Sequence, residues 1–128
     1  MNPRNLIKQL LLLCLLIPGI ANAVTEADFE VKTTKNLLNL CTASAEDPQY
    51  QQAIHFCYGY LVGAYHYYEA ENNGPGDQQL VCPPKPEPTR NETIKKVVSW
   101  FQQHPEYMHE IPVETEFRAL TDLWPCKK

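Results

Sequence analysis

The sequence has no run of Lys or Arg beyond the pairs Lys95-Lys96 and Lys127-Lys128, and its 11 basic against 15 acidic residues give a formal net charge of −4. A phosphate backbone finds no basic patch here, which argues against nucleic acid as a partner. Glycine is scarce, at 5 against 11 prolines, which sets aside flexible low-complexity and collagen-like chains. No apolar stretch reaches the roughly 20 residues that span a bilayer core of about 30 Å. Catalytic signatures are missing too: no Ser stands in a G-x-S-x-G turn, and there is no H-E-x-x-H and no phosphate-cradling glycine loop. At 128 residues the chain has room for one core and one domain.

Residues 1–23 read as a cleavable secretory signal, leaving a domain over 24–128. Arg4 and Lys8 make a basic start, Leu10 to Ile17 is unbroken apolar sequence, and Ala21-Asn22-Ala23 offers small residues for a peptidase. Cys14 lies inside the apolar run with no small residue beside it, a poor match to a lipoprotein processing site. Removing the signal takes away Arg4, Lys8 and Cys14, so 9 basic face 15 acidic residues and four cysteines remain. An even number of cysteines in an exported small domain implies two disulfides among Cys41, Cys57, Cys82 and Cys126. No pair has the short C-x-x-C spacing of a zinc site.

Helical periodicity runs through the rest. Four helices are expected, at about 27–41, 47–71, 89–104 and 112–125. Phe29, Leu37, Leu38 and Leu40 mark the first, whose start is the least defined. Asp47-Pro48 suits the opening of the second, where Ile54, Cys57, Tyr58, Leu61, Tyr65 and Tyr68 form one stripe. Gly59 and Gly63 lie on another face of that helix. Each costs it about 1 kcal/mol, so a closely packed neighbouring helix, or failing that a dimer seam, is expected there. Asn72-Asn73-Gly74-Pro75-Gly76 stops the helix, and a proline-rich loop runs to Pro88. Thr89-x-x-Glu92 is a capping box, His104-Pro105 ends the third helix, and Val113, Phe117, Leu120 and Trp124 mark the inner face of the fourth. The expected class is all-α, a small disulfide-tied bundle.

Two cysteine pairings suit this layout. Cys57 with Cys82 and Cys41 with Cys126 would close loops worth roughly 3.5 and 4.6 kcal/mol, while Cys41 with Cys57 and Cys82 with Cys126 give roughly 3.1 and 4.0. Energy does not choose between them.

Residues for catalysis or metal binding are not evident, and no cofactor is expected. His55 and His66 would stand about 16 Å apart along one helix, too far to share a metal. His104 and His109 straddle a proline. The carboxylate pairs Glu69/Glu71 and Glu114/Glu116 are two apart on helices and read as solvated surface. Asn91-Glu92-Thr93 matches a glycosylation acceptor but is better explained by the helix cap. The unusual feature is Tyr58, Tyr60, Tyr65, Tyr67 and Tyr68 within eleven residues, too many for one buried stripe. Exposed tyrosines supply large contact area at little entropic cost, as a protein-binding surface requires.

Leu40-Cys41, Phe56-Cys57-Tyr58-Gly59-Tyr60-Leu61-Val62-Gly63, Val81-Cys82-Pro83-Pro84, Val97-Val98 through His104-Pro105-Glu106, and Ala119-Leu120 with Trp124-Pro125-Cys126 occur in this order. Together they resemble the Rap/Tai family of type VI secretion immunity proteins across nearly the whole mature chain. The resemblance implies a small helical periplasmic protein without catalytic groups, often a homodimer, that blocks the active site of a peptidoglycan amidase injected by a neighbouring cell. Its partner-binding surface is then expected around Tyr65, Tyr67, Tyr68, Asn73 and Asp77, where Gly74-Pro75-Gly76-Asp77 gives a projecting turn. The competing class is a periplasmic acid-stress chaperone or housekeeping binding protein. Such chaperones have one disulfide and a lysine-rich tail, whereas this chain has four mature cysteines and ends in only Lys127-Lys128.

Overall fold

The computed structural model describes residues 23–76 and 78–127. Apart from Ala23, the expected signal segment lies outside them, as does Asp77. Five α-helices follow in order: α1 Glu26–Phe29, α2 Thr34–Cys41, α3 Tyr50–Glu71, α4 Arg90–Gln103 and α5 Pro112–Leu123, with a 3-10 turn at Pro105–Tyr107. Among the described residues the only β pairing outside a strand is the bridge between Val81 and Pro125. The molecule is an all-α bundle tied by two disulfides, as the periodicity predicts. None of the described helices is long and apolar enough to cross a membrane.

The first expected helix is two. Val31 takes a φ of 48°, a left-handed conformation that no β-branched residue continues into a helix. Two caps organise the break, Thr25 with Asp28 before α1 and Thr33, which accepts from the Asn36 amide, before α2. The Thr25 amide and hydroxyl donate to Asp28 Oδ2 at 2.9 and 2.8 Å, while Asn36 and Asn39 donate to Asp28 Oδ1 at 3.2 and 2.9 Å. Burial raises the pKa of Asp28, but the donors from Asn39, Thr25 and Asn36 outweigh it and hold the carboxyl below its ordinary range. This buried carboxylate therefore pins α1 to α2. The first amides of α2 also find distant acceptors, Thr34 N–H on the Glu110 carbonyl at 2.8 Å and Lys35 N–H on Met108 at 3.0 Å.

The opening of α3 differs from the expected one. Asp47 Oδ2 accepts from the Val24 amide and Oδ1 from the Gln49 amide, both at 2.8 Å, so Asp47 ties down the chain before α1 and makes a local turn. Pro48 lies in that turn and α3 begins at Tyr50. The α4 start is as expected: Glu92 accepts from the Thr89 amide and hydroxyl, and Thr89 accepts from the Glu92 amide. Pro112 occupies the first turn of α5, where its missing N–H costs nothing.

α2 lies at the centre, against α1, α3, α4 and α5. Its Leu37 and Leu40 are fully buried together with Ala53 and Cys57 of α3, Phe101 of α4, and Ala119 and Leu120 of α5. The disulfides are Cys41–Cys57, 16 residues apart, and Cys82–Cys126, 44 apart. Of the two pairings that suit the sequence, the second is formed: Cys41, at the end of α2, faces α3 directly, and Cys82 meets the chain end across the Val81–Pro125 bridge.

Candidate functional site

α5 is rotated from its expected orientation. Its buried residues are Pro112, Thr115, Glu116, Ala119 and Leu120, whereas Val113 is exposed and Phe117 half-buried. Small side chains at Thr115 and Ala119 let this face approach the core closely, and Thr34 of α2 reaches Thr115 Oγ1 at 2.7 Å. Glu116 is carried inward with them. Of the pair expected on the surface, Glu114 is exposed, but Glu116 is 2% exposed and its Oε2 is buried without a hydrogen-bond partner. Burial alone pushes its pKa up to about 9, so the side chain holds a proton at neutral pH.

Glu116 borders a pocket of about 250 Å³ formed where α3, α4 and α5 meet the linker after α3. Leu61, Val62, Ile94, Val97, Leu120 and Trp124 supply the apolar walls, while Tyr65, His66, Glu69, Glu87 and Arg90 bring polar atoms. The Tyr65 hydroxyl is driven above its ordinary pKa by burial first, then by the nearby Glu69, Tyr68 and Glu87. No sequence motif marks this pocket. The one available signal was that Glu116 stands a helical turn before Leu120, on the same face.

The expected partner-binding residues separate into different surroundings. Tyr65 is half-buried in the pocket wall and Tyr67 is 69% exposed. The ring of Tyr68 packs on Phe117 with centroids 5.0 Å apart, and its hydroxyl accepts from the Leu80 and Val81 amides at 2.7 and 3.3 Å. Tyr68 thus anchors the far end of the loop that follows α3. Asn73 is exposed on that loop, as are residues 74–76 and 78–80, and Asp77 lies outside the described residues.

Gly59 and Gly63 correct another expectation. A Cβ placed on either meets nothing within 4 Å, so among the described residues no helix packs on them and they lie on an open face. The face runs from Phe56, 38% exposed, towards Tyr67. In the monomer, replacing both glycines with Ala is therefore expected to stabilise the fold by about 1 kcal/mol per site, because only the helix backbone feels the change. Urea unfolding of the single and double variants checks this, and a loss of stability would show that the face is covered.

His55, His66 and His109 are exposed, while His104 stacks on Trp100 with ring centroids 3.7 Å apart and pairs with Glu106 at 2.8 Å. Trp100 in turn donates to Asp122 at 2.8 Å. This cluster closes the end of α4.

Residues 33–126 match the model of a family described as Rap1a immunity proteins. No curated protein and no solved structure matches the chain.

Proposed function

Because the chain belongs to the Rap1a immunity protein family over residues 33–126, we propose that it is a periplasmic immunity protein that binds and inhibits a peptidoglycan amidase delivered by a neighbouring cell's type VI secretion system. The observation that carries this reading beyond the family is the loop after α3. Its described residues 73–76 and 78–80 are exposed, as is Tyr67 near the end of α3, while the Tyr68 hydroxyl holds the far end. A loop tethered at both ends loses less freedom on entering an enzyme cleft than a free tail does, so more of its contact energy appears as affinity. Inhibition by obstruction requires no catalytic group.

The test has two steps. Immobilised, disulfide-bonded protein lacking residues 1–23 is exposed to material secreted by a contact-killing sibling culture, and the retained protein is identified and assayed on peptidoglycan. An amidase that the protein silences is the expected result; its absence when type VI effectors are demonstrably present would overturn the reading. Tyr67→Ala combined with Asp77→Ala is then expected to weaken inhibition roughly 30-fold, the loss of one binding hot spot of about 2 kcal/mol. Unchanged inhibition would move the contact away from the loop.

The open face of α3 suits a second copy of the chain, because two helices approach most closely where side chains are absent. Gly63→Arg is expected to shift the protein towards monomer in light scattering while its helical circular dichroism is retained. An unchanged mass would place any dimer contact elsewhere.

A further inference from the structure

The pocket beside Glu116 has no part in obstruction by the loop: none of the described residues 72–80 forms its walls. Three observations define what fits it. Its size, about 250 Å³, exceeds the roughly 150 Å³ cavity that holds benzene and suits a short aliphatic chain rather than a large ring system. Its walls at Leu61, Val97 and Leu120 are buried and apolar. Its most buried polar group is Glu116, whose Oε2 is an acceptor with no partner in the protein.

The charges around it favour a cation. From α3 come the Tyr60 and Tyr65 hydroxyls, His66 and Glu69, from the linker Glu87, and from α4 Arg90. Glu69 and Glu87 thus set two carboxylates against one guanidinium, and Glu116 is the most buried polar residue of the lining. Among the described residues no three His, Cys, Asp or Glu side chains are grouped to hold a metal ion, so the cation that suits this site is organic. We propose that the pocket binds an alkylammonium group, its nitrogen received by Glu116 and its aliphatic stem lying along Leu61, Val97 and Leu120. Such a group satisfies the orphaned oxygen, and its positive charge offsets the cost of ionising a buried carboxyl. Glu116 releases its proton to solvent as the ammonium enters.

Calorimetry on the disulfide-bonded protein tests this with n-butylammonium and its neutral counterpart n-butanol, at pH 7 in two buffers of different ionisation heat. Butylammonium is expected to bind at least about tenfold more tightly than butanol and to release about one proton per molecule bound. In Glu116→Gln, which retains the shape of the protonated side chain, both the preference and the proton release should vanish. Equal affinity for the two probes, no binding of butylammonium at millimolar concentration, or an unaltered Glu116→Gln would each overturn the assignment. A lysine capped at both ends separates the sources of the group: binding at least as tight as butylammonium identifies a lysine side chain of a partner protein, and exclusion of the capped residue identifies a free amine.

Discussion

Glu116→Gln is expected to raise the stability of the disulfide-bonded protein by about 3 kcal/mol at pH 7, more than about 10 °C in Tm. The reason is linkage. In the unfolded chain the carboxyl titrates near 4.5, and in the folded protein burial lifts it to about 9. Below the lower value both states are protonated and the group favours neither. As pH rises above it, the unfolded state ionises while the folded state keeps its proton, and stability falls by about 1.4 kcal/mol per pH unit until the folded pKa is passed. Glutamine has no proton to lose and keeps the side chain's size. The benefit of the substitution should therefore shrink to under about 1 kcal/mol at pH 5 and grow through pH 8. Urea unfolding of both proteins across this range measures it. Parallel pH profiles would mean that Glu116 has a compensating partner and is ionised in the folded state.

That such a residue escapes a reading of the sequence has a definite cause. The Val113, Phe117, Leu120 and Trp124 stripe is real, but which side of an amphipathic helix faces inward depends on its neighbours. In α5 the small Thr115 and Ala119 permit a closer approach than Val113 and Phe117 do, and Glu116 is buried as a consequence. Signals confined to one turn are legible: the Thr89 and Glu92 cap and the stop before Pro105 both act within four residues. Asp47 departs from the expected helix-cap role because its carboxylate serves the Val24 amide, 23 residues away. For Gly59 and Gly63 the cost to the helix was legible, but the absence of a packed neighbour was not, since that depends on where α2, α4 and α5 lie. The cysteine pairing was undecided for a similar reason, because loop entropy ranks the two arrangements too closely and only the meeting of Val81 with Pro125 distinguishes them.

Replacing Cys82 and Cys126 together with Ala is expected to cost about 4 kcal/mol, against about 3 kcal/mol for Cys41 and Cys57, since the closed loops hold 44 and 16 residues. The larger effect should also be more localised. Between α3 and α4 the described part of the linker forms no helix or strand and is fastened by the Tyr68 hydroxyl, by the Cys82 amide on the Trp124 carbonyl at 2.9 Å, and by this disulfide. Without the covalent tie, hydrogen exchange at Leu80, Val81 and position 82 should accelerate, while the fully buried Leu37, Leu40 and Phe101 remain protected. The linker also supplies Pro83, Glu87 and Pro88 to the pocket beside Glu116 and carries the exposed loop, so this disulfide sets the shape of both surfaces. The 41–57 variant should lose stability with both surfaces intact. Urea midpoints in the reverse order at equal slope would show that native packing around Cys57, which is fully buried, outweighs loop entropy in this fold.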